Sequence, residues 1–236
     1  MVALKTPNGL EEVLRSSEAA GMALRGRTLV DSILPGQLVR IGRLDEAIER
    51  SNDAPNDFAR GLHWPTFRAW AEASSGHHER ATAGLEGAVR DTKLDSGGLQ
   101  TMNSTIATIL ETAVVLNDLP LVARLEGMVT NGSERFIFSV GFASVARVLG
   151  DSAVLLGRLD DARQRYNEAL LACDGLKARP ETAMTRFHLA ELLLDHYPDE
   201  HAEAIEHLDF AINEFREMKM QPSLTRAMGR KQVEGA

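Results

Sequence analysis

An all-α fold, a superhelical stack of antiparallel helix pairs, is what the amino-acid sequence predicts, and three observations predict it. Apolar residues recur at three and four positions between regularly spaced breakers, which places them on one face of a helix. Ala, Leu, Arg and Glu, whose side chains lose little freedom in a helix, fill the long segments, while aromatic residues make up 5% of the chain and strand-like alternation is nearly absent. A short phrase, a glycine followed five residues later by an alanine, returns at the start of successive helices.

Taken in chain order, Asn8 precedes Glu11 in a capping-box arrangement. Pro35-Gly36 interrupts Thr28 to Ile41, so that helix is expected to be kinked or split, because proline removes an internal hydrogen bond. Pro65 and Pro180 stand where a helix can begin without their missing N–H. Ile106, Ile109, Leu110 and Ala113 form one apolar face, and Ala204, Ile205, Leu208, Ala211, Ile212 and Phe215 form another. Phe136 to Phe142 has the aromatic and β-branched content of a strand, yet it runs without a turn signal into the helical spacing of Ala143 to Leu156. A lone strand would leave two unpaired edges, so the run is assigned to a helix. The expectation is a single domain over residues 1–236 with about five helix pairs, clearest over 28–215.

The repeated phrase reads Gly42-Arg43-Leu44-Asp45-Glu46-Ala47, Gly76-His77-His78-Glu79-Arg80-Ala81 and Gly157-Arg158-Leu159-Asp160-Asp161-Ala162. Degenerate copies begin at Asn117 and Tyr197. Gly42 and Gly76 stand 34 residues apart, and Asn117 and Gly157 follow after 41 and 40. In the fourth copy, Leu149-Gly150 stand in the first helix, Gly157 in the turn, and Ala162, Tyr166 and Ala169 on the second helix. At these residues the chain resembles the tetratricopeptide repeat family, in the divergent form found C-terminal in bacterial signalling ATPases, cyclases and transcriptional regulators. The resemblance implies a solenoid whose small residues let helices approach closely, whose Tyr166 fills the gap to the next pair, and whose glycines end the first helices with positive φ.

Composition narrows the function. The net charge of −8, from 34 acidic and 26 basic residues, argues against binding DNA, RNA or an anionic membrane surface. No stretch approaches the roughly 18 apolar residues of a membrane span, and residues 1–9 lack an apolar leader. The single cysteine, Cys173, falls on an apolar stripe with Leu159, Ala162, Tyr166, Ala169 and Leu170, which excludes an intrachain disulfide and fits a reducing, cytoplasmic setting.

Catalytic signatures do not emerge. Neither GxxxxGK[ST] nor a strand-borne GxGxxG occurs, and no GxSxG elbow or HExxH pair is present. His77-His78 face different sides of a helix, and His196, His201 and His207 sit five and six apart, so solvent-facing or capping roles are expected of them. The acidic cluster Asp195, Asp199, Glu200, Glu203, Glu206 and Asp209 reads as a solvated helix face with acids near a helix N-terminus. No catalytic residue, metal or cofactor is assigned.

Binding is the expected function, because stacked pairs present their first helices along a continuous concave surface. The family's groove-lining positions point to Arg40, His63, Trp70, Arg147, Asp151 and Glu191. Trp64 and Trp70 can equally serve as packing between pairs. Register turns Arg147, Asp151 and Glu191 away from the helix-pair cores, so their substitution is expected to leave folding intact. The expected partner is a protein or peptide, with a small-molecule effector as the alternative, and self-association is left open.

Overall fold

The computed structural model describes residues 34–52, 63–91, 103–130, 143–176 and 178–234. Among them the structure is helical, without strands. Helix α1 occupies residues 34–41. It is followed by α2 (Leu44–Asn52), α3 (His63–Ser74), α4 (His78–Asp91), α5 (Asn103–Val115), α6 (Leu119–Thr130), α7 (Val145–Leu155), α8 (Leu159–Leu176), α9 (Arg179–His196), a 3₁₀ turn at Pro198–Glu200, α10 (His201–Glu217) and α11 (Gln221–Glu234). Each odd-numbered helix from α3 to α9 packs antiparallel against the even-numbered helix that follows, and α3, α5, α7 and α9 pack successively on one another. The fold is therefore an all-α stack of antiparallel helix pairs. Asn8, Glu11, Thr28 to Ile33 and Phe136 to Phe142 lie outside the described residues.

The repeated phrase explains the turns. Gly42, Gly76 and Gly157 have φ of +82°, +78° and +75°, and Asn117 adopts +58° at the corresponding place. At each, the turn residue's N–H donates to the carbonyl three residues back and the next N–H to the carbonyl five back, as in Gly157 to Val154 and Arg158 to Ala153. This closes the first helix through an αL residue, which glycine adopts freely and asparagine tolerates. The residue after the turn then starts the second helix. Its carbonyl accepts from the N–H four residues on, at Ala47, Ala81, Val122 and Ala162, all fully buried. At the degenerate copy Asp118 also caps α6, its Oδ1 accepting from the Leu121 N–H at 3.1 Å.

The two layers differ in their burial. First helices are enclosed on most sides: residues Thr105 to Ala113 of α5 are all buried, as are Arg147 to Ala153 of α7. Second helices bury one stripe, such as Ala81, Leu85 and Ala88 of α4, or Ala204, Leu208, Ala211, Ile212 and Phe215 of α10. Burying each Leu or Phe of this kind stabilises by about 1.5–3 kcal/mol. Within the fourth pair the approach is close enough that a Cβ on Gly150 would lie 2.6 Å from the Tyr166 ring. Tyr166 also reaches the next pair, its ring standing edge-on to His188 at 6.3 Å.

The stack curls until its ends meet. Ile41 packs against the cluster of Phe187, Phe215, Met220 and Leu224 from α9, α10 and α11. A Cβ on Gly42 would lie 2.2 Å from Pro222 in the first turn of α11. Among the described residues the inner face thus curls round a half-open space.

Candidate functional site

Curling the stack leaves a central cavity of about 770 Å³. Its wall follows the repeat. The residues three and two places before the turn residue line it in four successive pairs: Val39 and Arg40, Ala73 and Ser74, Val114 and Val115, Val154 and Leu155. The residue six places before the turn lines it in three: Trp70, Glu111 and Asp151. Helix α9 closes the ring with Phe187, His188, Glu191 and Asp195, and α11 contributes Pro222, Ser223 and Arg226.

A buried network of charges forms one side of this space. Arg147 lies at its centre with 1% of its side chain exposed. Its Nε donates to Glu181 Oε1 at 2.5 Å, Nη1 to Asp151 Oδ2 at 2.6 Å and Nη2 to Glu111 Oε1 at 2.6 Å. Arg40 bridges two of the same acids, donating to Glu181 Oε2 and Glu111 Oε2 at 3.2 Å each, and its guanidinium lies 4.8 Å from the centre of the Trp70 ring. Glu181 also accepts the Ser144 N–H at 2.7 Å, so a carboxylate from α9 caps the N-terminus of α7. Asp151 Oδ1 accepts from the Tyr166 hydroxyl at 2.8 Å and meets His188 Nδ1 at 2.5 Å. One network thereby ties α1, α5, α7, α8 and α9 together.

Its electrostatics favour the ionised forms of Glu111 and Asp151. Burial alone raises the Glu111 carboxyl, but Arg40 and Arg147 together outweigh it and hold the group below its ordinary value. Burial likewise raises Asp151, and His188, Arg147 and the Tyr166 hydroxyl bring it below the ordinary carboxylate value. Burial lowers the Arg147 guanidinium, while Glu181, Glu111 and Asp151 drive it well above its usual value. Burial and the adjacent Asp151 push the Tyr166 phenol well above its ordinary value.

The sequence-predicted site residues distribute unevenly over this geometry. Arg40, Trp70, Arg147, Asp151 and Glu191 all line the cavity. Arg40, Arg147 and Asp151, however, are buried and bonded to one another's partners. The expectation that Arg147 and Asp151 can be replaced without harm to folding is therefore corrected, because each substitution strands buried charge. Glu191 is the more accessible member, 23% exposed, and accepts from Arg226 Nη2 at 2.6 Å. His63 begins α3, and its side chain lies outside the described ones. Sequence reasoning missed Glu111, Glu181 and His188. Alignment on the turn residue would have found Glu111, which occupies the same repeat position as Trp70 and Asp151.

The acidic cluster disperses over several partners. Asp195 pairs with Arg230, Glu200 with Arg163 and Asp209 with Lys231, while Glu203 lies 3.6 Å from His207. Among the described residues no group of three or more His, Cys, Asp or Glu could hold a metal ion, and no helix is long and apolar enough to cross a membrane. Cys173 is buried on α8.

No protein-family model matches the chain, and a search of curated proteins finds no match. A solved structure titled MamA MSR-1 C2 aligns with a TM-score of 0.43 at 19% identity, over 78% of this chain and 94% of that one.

Proposed function

We propose that this chain is a non-catalytic scaffold that binds a segment of a partner protein through its inner face, as an interaction module of a bacterial signalling or regulatory protein in the cytoplasm. The observation that carries this reading is the register: the same positions of successive pairs converge on one cavity of about 770 Å³. Four pairs supply side chains to this one inner surface, which is how stacked repeats display a recognition surface. General acids are tuned toward the working pH, whereas Glu111 and Asp151 are held below their ordinary values, which argues against a general-acid role for these two.

The volume also falls within the roughly 300–1,000 Å³ of small-ligand sites, so an effector-sensing module is the second reading. Filling the cavity separates binding there from binding elsewhere. Immobilised parent chain and the variants Val115→Trp, on the cavity wall, and Arg163→Ala, on outer helix α8, are exposed to an extract of the source cell. Retention of a protein by the parent and Arg163→Ala, with loss in Val115→Trp, is expected. Equal retention by all three places binding outside the cavity and refutes the reading. A partner-free parent chain whose melting temperature rises with a small-molecule fraction of the extract favours the effector.

A further inference from the structure

Two arginines from opposite ends of the described chain enter the cavity, and each is held in the same way. Arg40 of α1 donates to Glu111 and Glu181 and lies 4.8 Å over the Trp70 ring. Arg226 of α11 donates to Glu191 and lies 4.8 Å over the Phe187 ring. A carboxylate bonded to the guanidinium and an aromatic face beneath it together make a selective seat for that group.

The two seats differ in how firmly they are filled. Arg40 is 3% exposed and belongs to the buried network, whereas Arg226 is 58% exposed. Arg226 and Arg230 stand four residues apart on α11 and pair with Glu191 and Asp195, four residues apart on α9. Helix α11 buries only Leu224 and Ala227 of its fourteen residues, leaves Met228 and Val233 exposed, and is otherwise held by Pro222 against Gly42 and by polar pairs such as Lys231 with Asp209. Beside the apolar cluster that Leu224 and Ala227 share with Phe187, the contact between α9 and α11 is a ladder of basic against acidic groups. Long-range charge favours the same chemistry, because the chain carries a net charge of −8.

We propose that the mouth of the cavity, formed by Phe187, Glu191 and Asp195, is the docking site for a basic segment of a partner protein bearing arginines one helical turn apart, and that α11 occupies this site in cis as a displaceable stand-in. This rests on the reading that the inner face binds a protein. Binding in trans then requires that Arg226 and Arg230 leave their acids, so α11 weakens the apparent affinity by the fraction of chains in which it is docked.

The test uses an acetylated, fluorescein-labelled, alanine-based helical peptide with two arginines four residues apart, titrated by anisotropy against the full chain. Its counterpart carries citrulline at both positions, which preserves shape and removes charge. The peptide is expected to bind the parent chain weakly and R226Q/R230Q severalfold more tightly. Binding should be lost in E191Q/D195N and with the citrulline peptide. Glutamine retains the side-chain stem over Phe187, and circular dichroism establishes that each variant is folded. Should R226Q/R230Q unfold, R226Q alone serves, with the same expected gain. Absence of binding to every folded variant, an unchanged or reduced affinity in R226Q/R230Q, or equal binding of the citrulline peptide would each overturn the proposal. Loss of partner capture by Val115→Trp together with such a failure would leave the scaffold reading standing and remove only the basic chemistry of the ligand.

Discussion

Replacing Arg147 by methionine probes the buried network at its centre. Methionine preserves much of the side-chain volume and deletes three charge-assisted bonds of 2.5–2.6 Å to Glu111, Asp151 and Glu181. Arg40 would then be the one arginine left to Glu111 and Glu181, which it reaches only at 3.2 Å, and Asp151 would keep only His188 and the Tyr166 hydroxyl. Removing one partner of a buried ion pair costs about 3–5 kcal/mol, chiefly because it strands desolvated charge. For a chain of this size each kcal/mol moves the melting temperature by about 2–4 °C, so R147M should melt roughly 6–20 °C lower. Thermal denaturation followed by circular dichroism at 222 nm reads this directly, with urea titration as a second measure. Adding E181Q or D151N to R147M should recover part of the loss, since each removes a stranded charge. If R147M melts with the parent, or if the second substitution deepens the loss in full, the network does not hold the stack together as described.

Glycine substitutions should sort by environment in urea titrations. Gly157→Ala, with φ of +75° and open space around its Cβ position, should cost about 1–2 kcal/mol from the backbone alone, whereas Gly42→Ala adds the collision with Pro222 and should cost more. Ala162→Glu forces a charge into a fully buried site between α7 and α8, and a loss of several kcal/mol in chemical denaturation is expected. Acid should unfold the protein through the same network. Glu111 and Asp151 have folded values below their ordinary ones, so the stability they contribute is complete above the ordinary carboxylate range near pH 4 and is lost as pH falls through the lowered values. Urea midpoints measured across that range should fall steeply for the parent and less so for E111Q/D151N.

The pair architecture was legible because its signals are local. A positive φ calls for glycine or asparagine, and a close helix approach for alanine or glycine, so Gly42, Gly76, Asn117, Gly157, Ala162 and Gly150 announced the turns and contacts. Trp70, Arg147, Asp151 and Glu191 were placed on the inner face by the same register. The burial of Arg147 and Asp151 was not legible, since a charged residue is exposed unless its partner is known. Arg147 meets Glu181 across 34 positions, and Arg40 meets it across 141, a contact that exists only because the stack closes on itself. On α9 the register marked Glu191 but not His188, which stands at none of the recurrent lining positions, and no local pattern marked α11 as a wall of the cavity.

Hydrogen exchange on the complex with a captured partner tests most directly whether the inner face of the stack is the recognition surface. Added protection should fall on segments that reach the cavity, around residues 70–76, 111–117, 151–157 and 188–196, with α6 and the C-terminal halves of α4 and α8 unchanged. Protection confined to those outer helices, with the inner segments exchanging as in the unbound chain, would contradict the account.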